Sequence, residues 1–310
     1  MISLFNINNY SIDTSKFSSF LNDSVVEDFE KEIASFVGAK YACSVHSATM
    51  AIFLCLLDKD PMVVEIPTIM PPVVPNAVLC AGHSLSYRDD IDWVGSSYTL
   101  CQLSDYKIID SAQQLEKNQF LDQADDQDLM IFSFYPTKPV GSVDGGLIVS
   151  NDESKIERLR ILSRYGMTTD KDSWKRKIVL PGWKMYMNSI QAEIGLRNFH
   201  KLENKNTALN KLKQKYNTSF NLKNNSNHLY RVRVKNRDSF INLMKEEGIQ
   251  CGIHYSTVHD IECYKTQYNP SLEKSVLESQ QTISIPFHEK LTDKEIAYII
   301  KKVRKHAIFA

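Results

Sequence analysis

The sequence predicts an α/β protein with a large domain built on a mostly parallel sheet and a smaller α+β domain after it. Seven short apolar runs lie in the first 150 residues, and helical segments separate the early ones. This alternation is typical of a parallel sheet with helices on its faces. A stretch rich in Lys and Asn, residues 201–227, then marks a change of domain. We expect the large domain to cover residues 1–205 and the small domain 206–310.

Each element can be justified in order. Residues 23–38 carry apolar side chains at helical spacing, with Asp23 or Ser24 able to cap the helix and Gly38 ending it. The seven predicted strands are Tyr41–Val45, Val63–Pro67, Ser84–Tyr87, Tyr98–Leu103, Lys107–Asp110, Leu129–Phe134 and Gly146–Ser150. The helices between the early strands are Met50–Leu57 and Val73–Ala81, and later helical segments are Lys155–Tyr165 and Asn188–Leu202.

In the small domain, we expect strands at His228–Val234 and Gln250–Ser256. Helices are predicted at Asp238–Glu247 and Thr292–His306. One connection in the large domain is short: residues 89–97 leave room for one or two helical turns. A parallel crossover needs about a dozen residues, so this link is minimal, and part of the sheet could be left uncovered or be covered by a partner subunit.

Composition excludes several classes. Thirty-seven basic residues balance thirty-seven acidic ones in the 310-residue chain, so no global field favours nucleic acid or an anionic membrane. The six cysteines are widely spaced without a CxxC pair, which indicates neither a metal site nor a disulfide framework. We identify neither a signal peptide nor a run of membrane-spanning length, and expect a cytoplasmic protein.

Lys138 lies in a turn between two of the predicted strands. Pro136 and Pro139 flank it and exclude a helix there. A lysine held between apolar strands is expected to be desolvated, and desolvation lowers its pKa toward that of a nucleophilic amine. The alternative is a surface lysine at a hairpin tip.

Two other segments carry residues that could bind a ligand or take part in a reaction. Asp110 ends a predicted strand and is followed by a polar segment predicted to begin a helix. Upstream, a strand runs into Ser47-Ala48-Thr49, where a second helix begins. A phosphate-sized anion can bind at such a helix N-terminus.

In this order, the helix start, the acid and the lysine resemble the pyridoxal-phosphate aminotransferases of the DegT/DnrJ/EryC1/StrS family, the sugar aminotransferases. The resemblance covers nearly the whole chain. Its most specific part is Ser133-Phe-Tyr-Pro-Thr-Lys138 with Gly145-Gly146 after it, joined to Asp110-Ser-Ala-Gln113. It implies a fold-type-I enzyme with a seven-stranded sheet, pyridoxal 5'-phosphate as cofactor, and a homodimer with residues of both subunits in each active site.

The resemblance also assigns roles. Lys138 would hold the cofactor as an internal aldimine and then move a proton between Cα and C4′. Asp110 would keep the pyridine nitrogen protonated; the alternative is a cap for a helix over residues 111–116. Gln113 would hydrogen-bond the phenolic oxygen, the alternative being a capping-box glutamine.

For the phosphate, Ser47, Ala48 and Thr49 replace the family's Ser-Gly-Thr, and alanine there requires ordinary backbone angles. Ser133 matches a family serine that also reaches the phosphate. The alternative is a serine of the strand with no role in binding.

Three positions depart from the family pattern. Met70, or Pro71 beside it, stands where the family has an aromatic residue that stacks on the cofactor. Lys184 replaces an asparagine that reaches the phosphate of the neighbouring subunit's cofactor, and it could also be a solvated loop lysine. Tyr186 replaces an arginine.

The candidate substrate residues are Tyr135, Tyr186, His254, Tyr255 and His259. The last three lie in a segment similar to the family's Gly-Ile-x-x-His-Tyr-x-x-x-x-His, although most histidines in such strands are structural.

The predicted reaction moves an amino group from glutamate or glutamine to the 3- or 4-keto group of a nucleotide-linked deoxysugar, as in deoxyamino-sugar, polysaccharide or O-antigen biosynthesis. A same-fold dehydratase, with histidine in place of the lysine, is disfavoured by Lys138. Two alternatives stay open: the same chemistry on a keto-cyclitol or another ketone, and a cofactor-binding protein without transaminase activity.

Overall fold

The computed structural model describes residues 1–21, 23–57, 59–168, 177–267 and 270–310. Its first half contains α1 (Ser24–Val37), β1 (Tyr41–Val45), α2 (Ala48–Leu57), β2 (Val63–Pro67), α3 (Val73–Cys80), β3 (Ser84–Arg88), β4 (Tyr98–Gln102), β5 (Lys107–Asp110), α4 (Gln119–Gln123), β6 (Leu129–Ser133) and β7 (Gly146–Ser150). It continues with α5 (Glu153–Ser163), α6 (Ser189–Phe199), α7 (Leu202–Phe220), β8 (Tyr230–Arg233), α8 (Arg237–Glu246), α9 (Glu273–Gln281), β9 (Thr282–Ile285) and α10 (Asp293–His306).

The seven expected strands all form, each within one residue of its predicted end. Gly38 ends α1 as predicted, with a φ of 83° that suits glycine. Residues 188–202 form two helices rather than one, since α6 ends at Phe199 and α7 begins at Leu202.

The expectation of one mostly parallel seven-stranded sheet is wrong. The strands form a five-stranded sheet of order β1-β7-β6-β5-β4 and a separate parallel pair, β2-β3. Within the larger sheet β5 and β6 pair in parallel, whereas β1–β7, β7–β6 and β5–β4 are antiparallel. The sheet is therefore mixed.

The reversal of β4 follows from the length of its connections. Residues 103–106 link β4 to β5 as a tight hairpin, in which the Leu103 N–H donates to the Tyr106 carbonyl at 2.9 Å. So short a link can join antiparallel strands but cannot form a parallel crossover.

The side chain of Arg88 spans the boundary between the two sheets. Its guanidinium donates to the Glu65 carbonyl of β2 at 2.5 Å and to the Thr99 carbonyl of β4 at 2.9 Å. These two hydrogen bonds link the backbones of β2 and β4, which belong to different sheets.

Two hydrophobic clusters cover the faces of the larger sheet. Successive residues of β6 alternate between them: Leu129 and Ile131 belong to one cluster, and Met130 and Phe132 to the other. This period of two is what a strand buried on both faces requires. Helices α2, α3 and α5 supply the first cluster, and α1 and α6 the second.

A third cluster is formed by α7, β8, α8, β9 and α10. The Lys- and Asn-rich stretch forms α7, which buries Leu209, Leu212 and Tyr216 here and is therefore amphipathic. The boundary at residues 205 and 206 stays a prediction. In the part of the chain that is described, no helix is long and apolar enough to cross a membrane.

The expectation of a strand at Gln250–Ser256 is wrong. Gly252 makes an isolated bridge to Ser284, and the strand that pairs with β8 is β9, which follows α9. The alternation of residues 250–256 resembled a strand, but the imidazole of His254 lies 2.9 Å from the Ser284 hydroxyl and the Tyr255 hydroxyl 3.4 Å from Gln113.

Candidate active site

The candidate residues converge at one edge of the larger sheet. Strands β1, β5 and β6 run in the same direction, so their carboxyl ends lie together. Val45 and Ser133, at the ends of β1 and β6, both pair with Gly146 at the start of β7. Asp110, the last residue of β5, pairs with Ile131 of β6. Residues far apart in the sequence thus meet at this edge.

The start of helix α2 lies directly against Gly146. A Cβ on Gly146 would lie 2.6 Å from the carbonyl carbon of Ser47 and 2.7 Å from the nitrogen of Ala48, so only glycine permits this approach. The Ser47 hydroxyl accepts the Met50 N–H at 3.4 Å. The N–H groups of Ala48 and Thr49 lie in the first turn, where an α-helix offers no internal acceptor.

Lys138 lies in a tight loop between β6 and β7. Its N–H donates to the Tyr135 carbonyl at 2.9 Å, and Gly141 packs on the Pro136 carbonyl so closely that a Cβ would lie 2.3 Å from that oxygen. Burial lowers the pKa of Lys138 to about 8, although the charge of Asp110 opposes the shift. Lys138 is partly buried in this closely packed loop, so it is not an exposed lysine at a hairpin tip.

Asp110 is 4% exposed. Its Oδ1 accepts the Ala112 N–H at 2.9 Å, and its Oδ2 accepts the Tyr98 hydroxyl at 2.8 Å. Burial raises the pKa of Asp110, while the two hydrogen bonds and the charge of Lys138 lower it. Residues 111–116 form turns rather than a helix, and the next helix begins at Gln119. The helix-cap interpretation of Asp110 is therefore wrong.

Gln113 is also buried, and its side-chain amide is engaged on both sides. Its Oε1 accepts the Gly95 N–H at 2.7 Å, and its Nε2 lies 3.4 Å from the Tyr255 hydroxyl. The capping-box interpretation of Gln113 is wrong for the same reason as the helix-cap interpretation of Asp110: residues 111–116 do not form a helix. Gln113 instead links the loop before β4 to the C-terminal part of the chain.

Two histidines approach Lys138 from the C-terminal part. The Nδ1 of His254 lies 2.9 Å from the Ser284 hydroxyl, and burial and the charge of Lys138 lower the pKa of His254 to about 4. Burial and the same charge also lower the pKa of His228 well below its usual value. The Phe5 ring contacts both imidazoles. Both are therefore neutral near pH 7.

The remaining predicted residues lie in different environments. His259 approaches the Thr68 hydroxyl to 2.7 Å and Asp260 to 3.2 Å. Met70 is packed in the core, with 1% exposed, and the Tyr135 side chain is 53% exposed. The Ser133 hydroxyl accepts the Tyr135 N–H at 3.3 Å.

The segment around Lys184 lies against the end of β1. Tyr186 forms a bridge with Val45, and the Met185 carbonyl accepts the His46 N–H at 2.7 Å. Lys184 is exposed, and its backbone forms a bridge with Arg164. The segment is thus beside the start of α2 within the same chain.

Sequence reasoning missed three residues near Asp110 and Lys138: Tyr98, Trp93 and His228. The Trp93 ring lies 4.7 Å from that of Tyr98 and stacks on Tyr255 at 6.2 Å. The signal that could have identified Tyr98 was the four-residue link between β4 and β5, because a hairpin places the first residue of β4 beside the last residue of β5. His228 carried no comparable signal.

The fold and these side chains define a class: an α/β protein with a partly buried lysine and a buried acid at the edge of its sheet, beside a helix N-terminus. This is the arrangement expected of a fold-type-I pyridoxal-phosphate-dependent aminotransferase. The model of the DegT/DnrJ/EryC1/StrS aminotransferase family matches residues 6–71 and 123–304. The chain belongs to this family, as the sequence indicated, and is an enzyme of the sugar aminotransferase type.

Individual relatives are distant. The chain is 24% identical to the "Spore coat polysaccharide biosynthesis protein SpsC" of Bacillus subtilis, over 90% of this chain and 88% of that protein. It is 22% identical to a "UDP-4-amino-4,6-dideoxy-N-acetyl-beta-L-altrosamine transaminase" of Campylobacter jejuni, over 90% and 91%. The structure resembles the aminotransferase PseC of Helicobacter pylori with a TM-score of 0.80 at 17% identity, covering 98% and 99% of the two chains.

A second similar structure is the PMP-form of the putative sugar aminotransferase Spr1654 of Streptococcus pneumoniae. Its TM-score is 0.80 at 19% identity, and the similarity covers 97% of this chain and 98% of that one. The family match leaves residues 72–122 outside it. These residues contain the reversed strand β4, and also Asp110 and Gln113.

Proposed function

We propose that the chain binds pyridoxal 5'-phosphate and transfers an amino group from glutamate or glutamine to the keto group of a nucleotide-linked deoxysugar. The observation that carries the proposal is the pair of Lys138 and Asp110. Asp110 is buried and Lys138 partly buried at the carboxyl edge of the sheet, and the charge of each shifts the pKa of the other. The sugar substrate is supported by the names of relatives, which include a transaminase of a UDP-linked amino sugar.

The residues at this edge fit the cofactor. The start of α2 and the bare Cα of Gly146 form a cradle that a Cβ would fill, and a helix N-terminus attracts a phosphate through its free N–H groups and its dipole. Ser47, Ala48 and Thr49 would hold the phosphate with Ser133, Asp110 would hold the ring nitrogen, and Gln113 would contact the phenolic oxygen. When bound, the group supplies an aldehyde carbon for amines and a ring that accepts electrons.

The chain's own residues would do the rest. The ε-amine of Lys138 would bond to the cofactor and, once displaced by the amino donor, would carry a proton at Nζ as base and acid. A pKa near 8 suits this task, because the amine exchanges protons readily near neutral pH. Burial raises the pKa of Asp110, while its two hydrogen bonds and the charge of Lys138 favour the ionised form, in which Asp110 would hold a proton on the ring nitrogen.

Tyr135, Tyr186, His254, Tyr255 and His259 remain the proposed substrate residues, and Met70 the proposed cover of the ring. Neutral His254 and the hydroxyl of Tyr255 could hydrogen-bond a sugar or a donor carboxylate without adding charge.

We also propose a homodimer with shared sites. Tyr165, Ile178, Val179 and Trp183 form an apolar patch, between 37% and 69% exposed, beside the segment of Lys184. The Trp183 N–H donates to the Leu162 carbonyl of α5, and the Val179 N–H donates to the Gly166 carbonyl just after that helix, so the patch is held in place. Exposed apolar patches commonly mark protein contacts, and a second copy of this chain is the partner that the family resemblance implies.

The decisive experiment is to load the purified protein with pyridoxal phosphate, reduce it with borohydride and map the modified peptide. We expect the label on Lys138 and not on Lys205, whose pKa burial also lowers and whose Nζ donates to the Pro139 carbonyl at 2.8 Å. Since only the neutral amine reacts, the rate of labelling should rise about tenfold per pH unit below pH 8 and level off above it.

A matched pair of variants completes the test. Lys138→Ala should lose both the label and turnover with glutamate and a nucleotide-linked keto sugar, whereas Lys205→Ala should keep the label. Turnover by Lys138→Ala over many equivalents would refute the assignment. Labelling without any amine transfer would support the alternative of a cofactor-binding protein without transaminase activity. Transfer to a keto-cyclitol alone would identify the other substrate class.

A further inference from the structure

The strand that carries Tyr98 is the part of the sheet in which this chain departs from the fold that its sequence predicts. Residues 72–122 lie outside the family match, and β4 within them is antiparallel to β5. Because β4 is reversed, its first residue rather than its last lies at the carboxyl edge of β5. The register pairs Tyr98 directly with Asp110.

Tyr98 is held firmly in that position. Its side chain is buried, with 7% exposed. The Trp93 ring packs on it at 4.7 Å between centroids, and the guanidinium of Arg88 lies 5.6 Å from the ring centre. Arg88 also donates to the carbonyl of Thr99, the residue after Tyr98. The hydroxyl therefore has a fixed place, 2.8 Å from Oδ2 of Asp110.

In this pair the tyrosine is the donor. Burial and the neighbouring carboxylate raise the pKa of Tyr98 well above its ordinary value, so its hydroxyl keeps its proton. A carboxylate has about four acceptor directions on its two oxygens. The Ala112 N–H occupies one on Oδ1 and the Tyr98 hydroxyl one on Oδ2, which fixes the plane of the carboxylate. Among the described residues, these two bonds leave one direction open on each oxygen.

We propose that Tyr98 is a positioning residue for Asp110. Its hydroxyl holds the carboxylate in the plane and the charge state in which it can accept a hydrogen bond from a protonated ring nitrogen. The inference rests on the proposed function, because it assigns that nitrogen to the cofactor. Without the hydroxyl, Asp110 would keep one backbone anchor and could rotate about its Cβ–Cγ bond.

The test compares Tyr98→Phe with Tyr87→Phe. Tyr87 is a fully buried tyrosine of β3 whose hydroxyl donates to the Tyr264 carbonyl at 2.8 Å and not to Asp110. Both variants remove one buried hydroxyl and keep the ring. The first readout is the dissociation constant of pyridoxal phosphate for the apo-protein. We expect about a tenfold increase for Tyr98→Phe, in keeping with a hydrogen bond to a charged group, and less than about twofold for Tyr87→Phe.

A double-mutant cycle separates positioning from general loosening. In an Asp110→Leu background there is no carboxylate to hold, so Tyr98→Phe should change the dissociation constant by less than about twofold. An equal effect of Tyr98→Phe in both backgrounds would assign it a purely structural role and overturn the proposal. So would parent-like binding by Tyr98→Phe.

The second readout needs no cofactor. The carboxyl pKa of Asp110 can be followed in the apo-protein by ¹³C-labelled aspartate, with Asp110→Leu identifying the signal. The titratable groups that act on this carboxylate are Tyr98, Lys138 and Tyr255. Because the tyrosine hydroxyl stabilises the charged form, Tyr98→Phe should raise this pKa while Tyr87→Phe leaves it unchanged; an unchanged value in Tyr98→Phe would overturn the proposal. A parent protein that binds no cofactor at all would instead refute the proposed function.

Discussion

The two ends of the candidate site are built in different ways. At the phosphate end, β1 runs straight into α2, and β6 is joined to β7 through the turn of Lys138. These segments lie inside the family match. At the ring end, Asp110 and Gln113 are set by residues 72–122, outside the match, and they contact Tyr98, Gly95 and Tyr255. One end depends on connections local in the sequence, and the other on packing between separate segments.

The difference shows which part of the site can change without loss of the rest. The phosphate cradle needs a glycine at position 146, because a Cβ there would lie 2.6 Å from the backbone of Ser47, so little variation is tolerated there. The ring end needs a carboxylate at the end of β5, and the surrounding groups can come from a strand of either direction. In this chain the shortened link between β3 and β5 reverses β4 and brings a tyrosine to the acid.

The largest effect that would test this comparison is expected from Asp110→Asn. A neutral amide cannot hold the ring proton, so the amine-transfer step should slow by about 100-fold or more, the scale typical of lost proton-transfer catalysis, while the cofactor still binds. The measurement is single-turnover transfer against cofactor affinity.

Asp128→Asn is the matched control. Asp128 is also buried, but it accepts the N–H groups of Lys107 and Asp125 at 2.8 Å and forms an ion pair with Lys107, away from the site edge. The Asp128→Asn variant should lower the stability of the protein and leave the amine-transfer rate near that of the parent. Equal rates in Asp110→Asn and the parent would remove Asp110 from the chemistry.

The two ends also differ in how far the sequence predicted them. Ser47, Lys138 and Gly146 could be placed because each follows directly from a strand end and the turn after it. Asp110 was placed correctly at the end of β5, but the helix after it was not formed, since Gln113 hydrogen-bonds the loop before β4 rather than capping a helix. Tyr98 was read only as the start of a strand.

The reason is physical. The direction of β4 depends on the lengths of two loops. The position of Tyr98 beside Asp110 depends on packing against Trp93, which in turn stacks on Tyr255 from a distant segment. The same limit explains the false strand at residues 250–256: the alternation was real, but β8 pairs with β9 instead. Local periodicity predicts which residues form an element and not which partner the element chooses.

A smaller effect is expected from Gly146→Ala, which tests the phosphate end. The new Cβ would meet backbone atoms of Ser47 and Ala48 at 2.6–2.7 Å, so the helix start must move. Overpacking of this kind costs about 1–3 kcal/mol, and we expect cofactor affinity to fall by more than about tenfold.

Gly248→Ala separates this effect from backbone strain. Gly248 ends α8 with a φ of 71°, and a Cβ there would meet nothing within 4 Å. It should destabilise the protein by about 1 kcal/mol through its positive φ with cofactor affinity unchanged. If both variants bound cofactor like the parent, the cradle at Gly146 would not be the phosphate site.

The smallest effect, about tenfold in cofactor affinity, is expected from Lys184→Ala, and it tests whether the phosphate end is completed by a second subunit. Bound phosphate carries close to two negative charges, and a well-placed lysine from the partner would add about 1.5–3 kcal/mol. If so, cofactor binding and dimerisation are linked. Lys184→Ala should raise the cofactor dissociation constant by about tenfold and weaken the dimer more in the holo than in the apo form, as sedimentation would show. Lys40→Ala is the control. Lys40 is an exposed lysine just before the first residue of β1, at the strand end away from α2, and its substitution should change neither the cofactor dissociation constant nor the dimer. A Lys184→Ala protein that binds cofactor normally and dimerises equally in both forms would make Lys184 a solvated loop residue and leave the phosphate end complete within one chain.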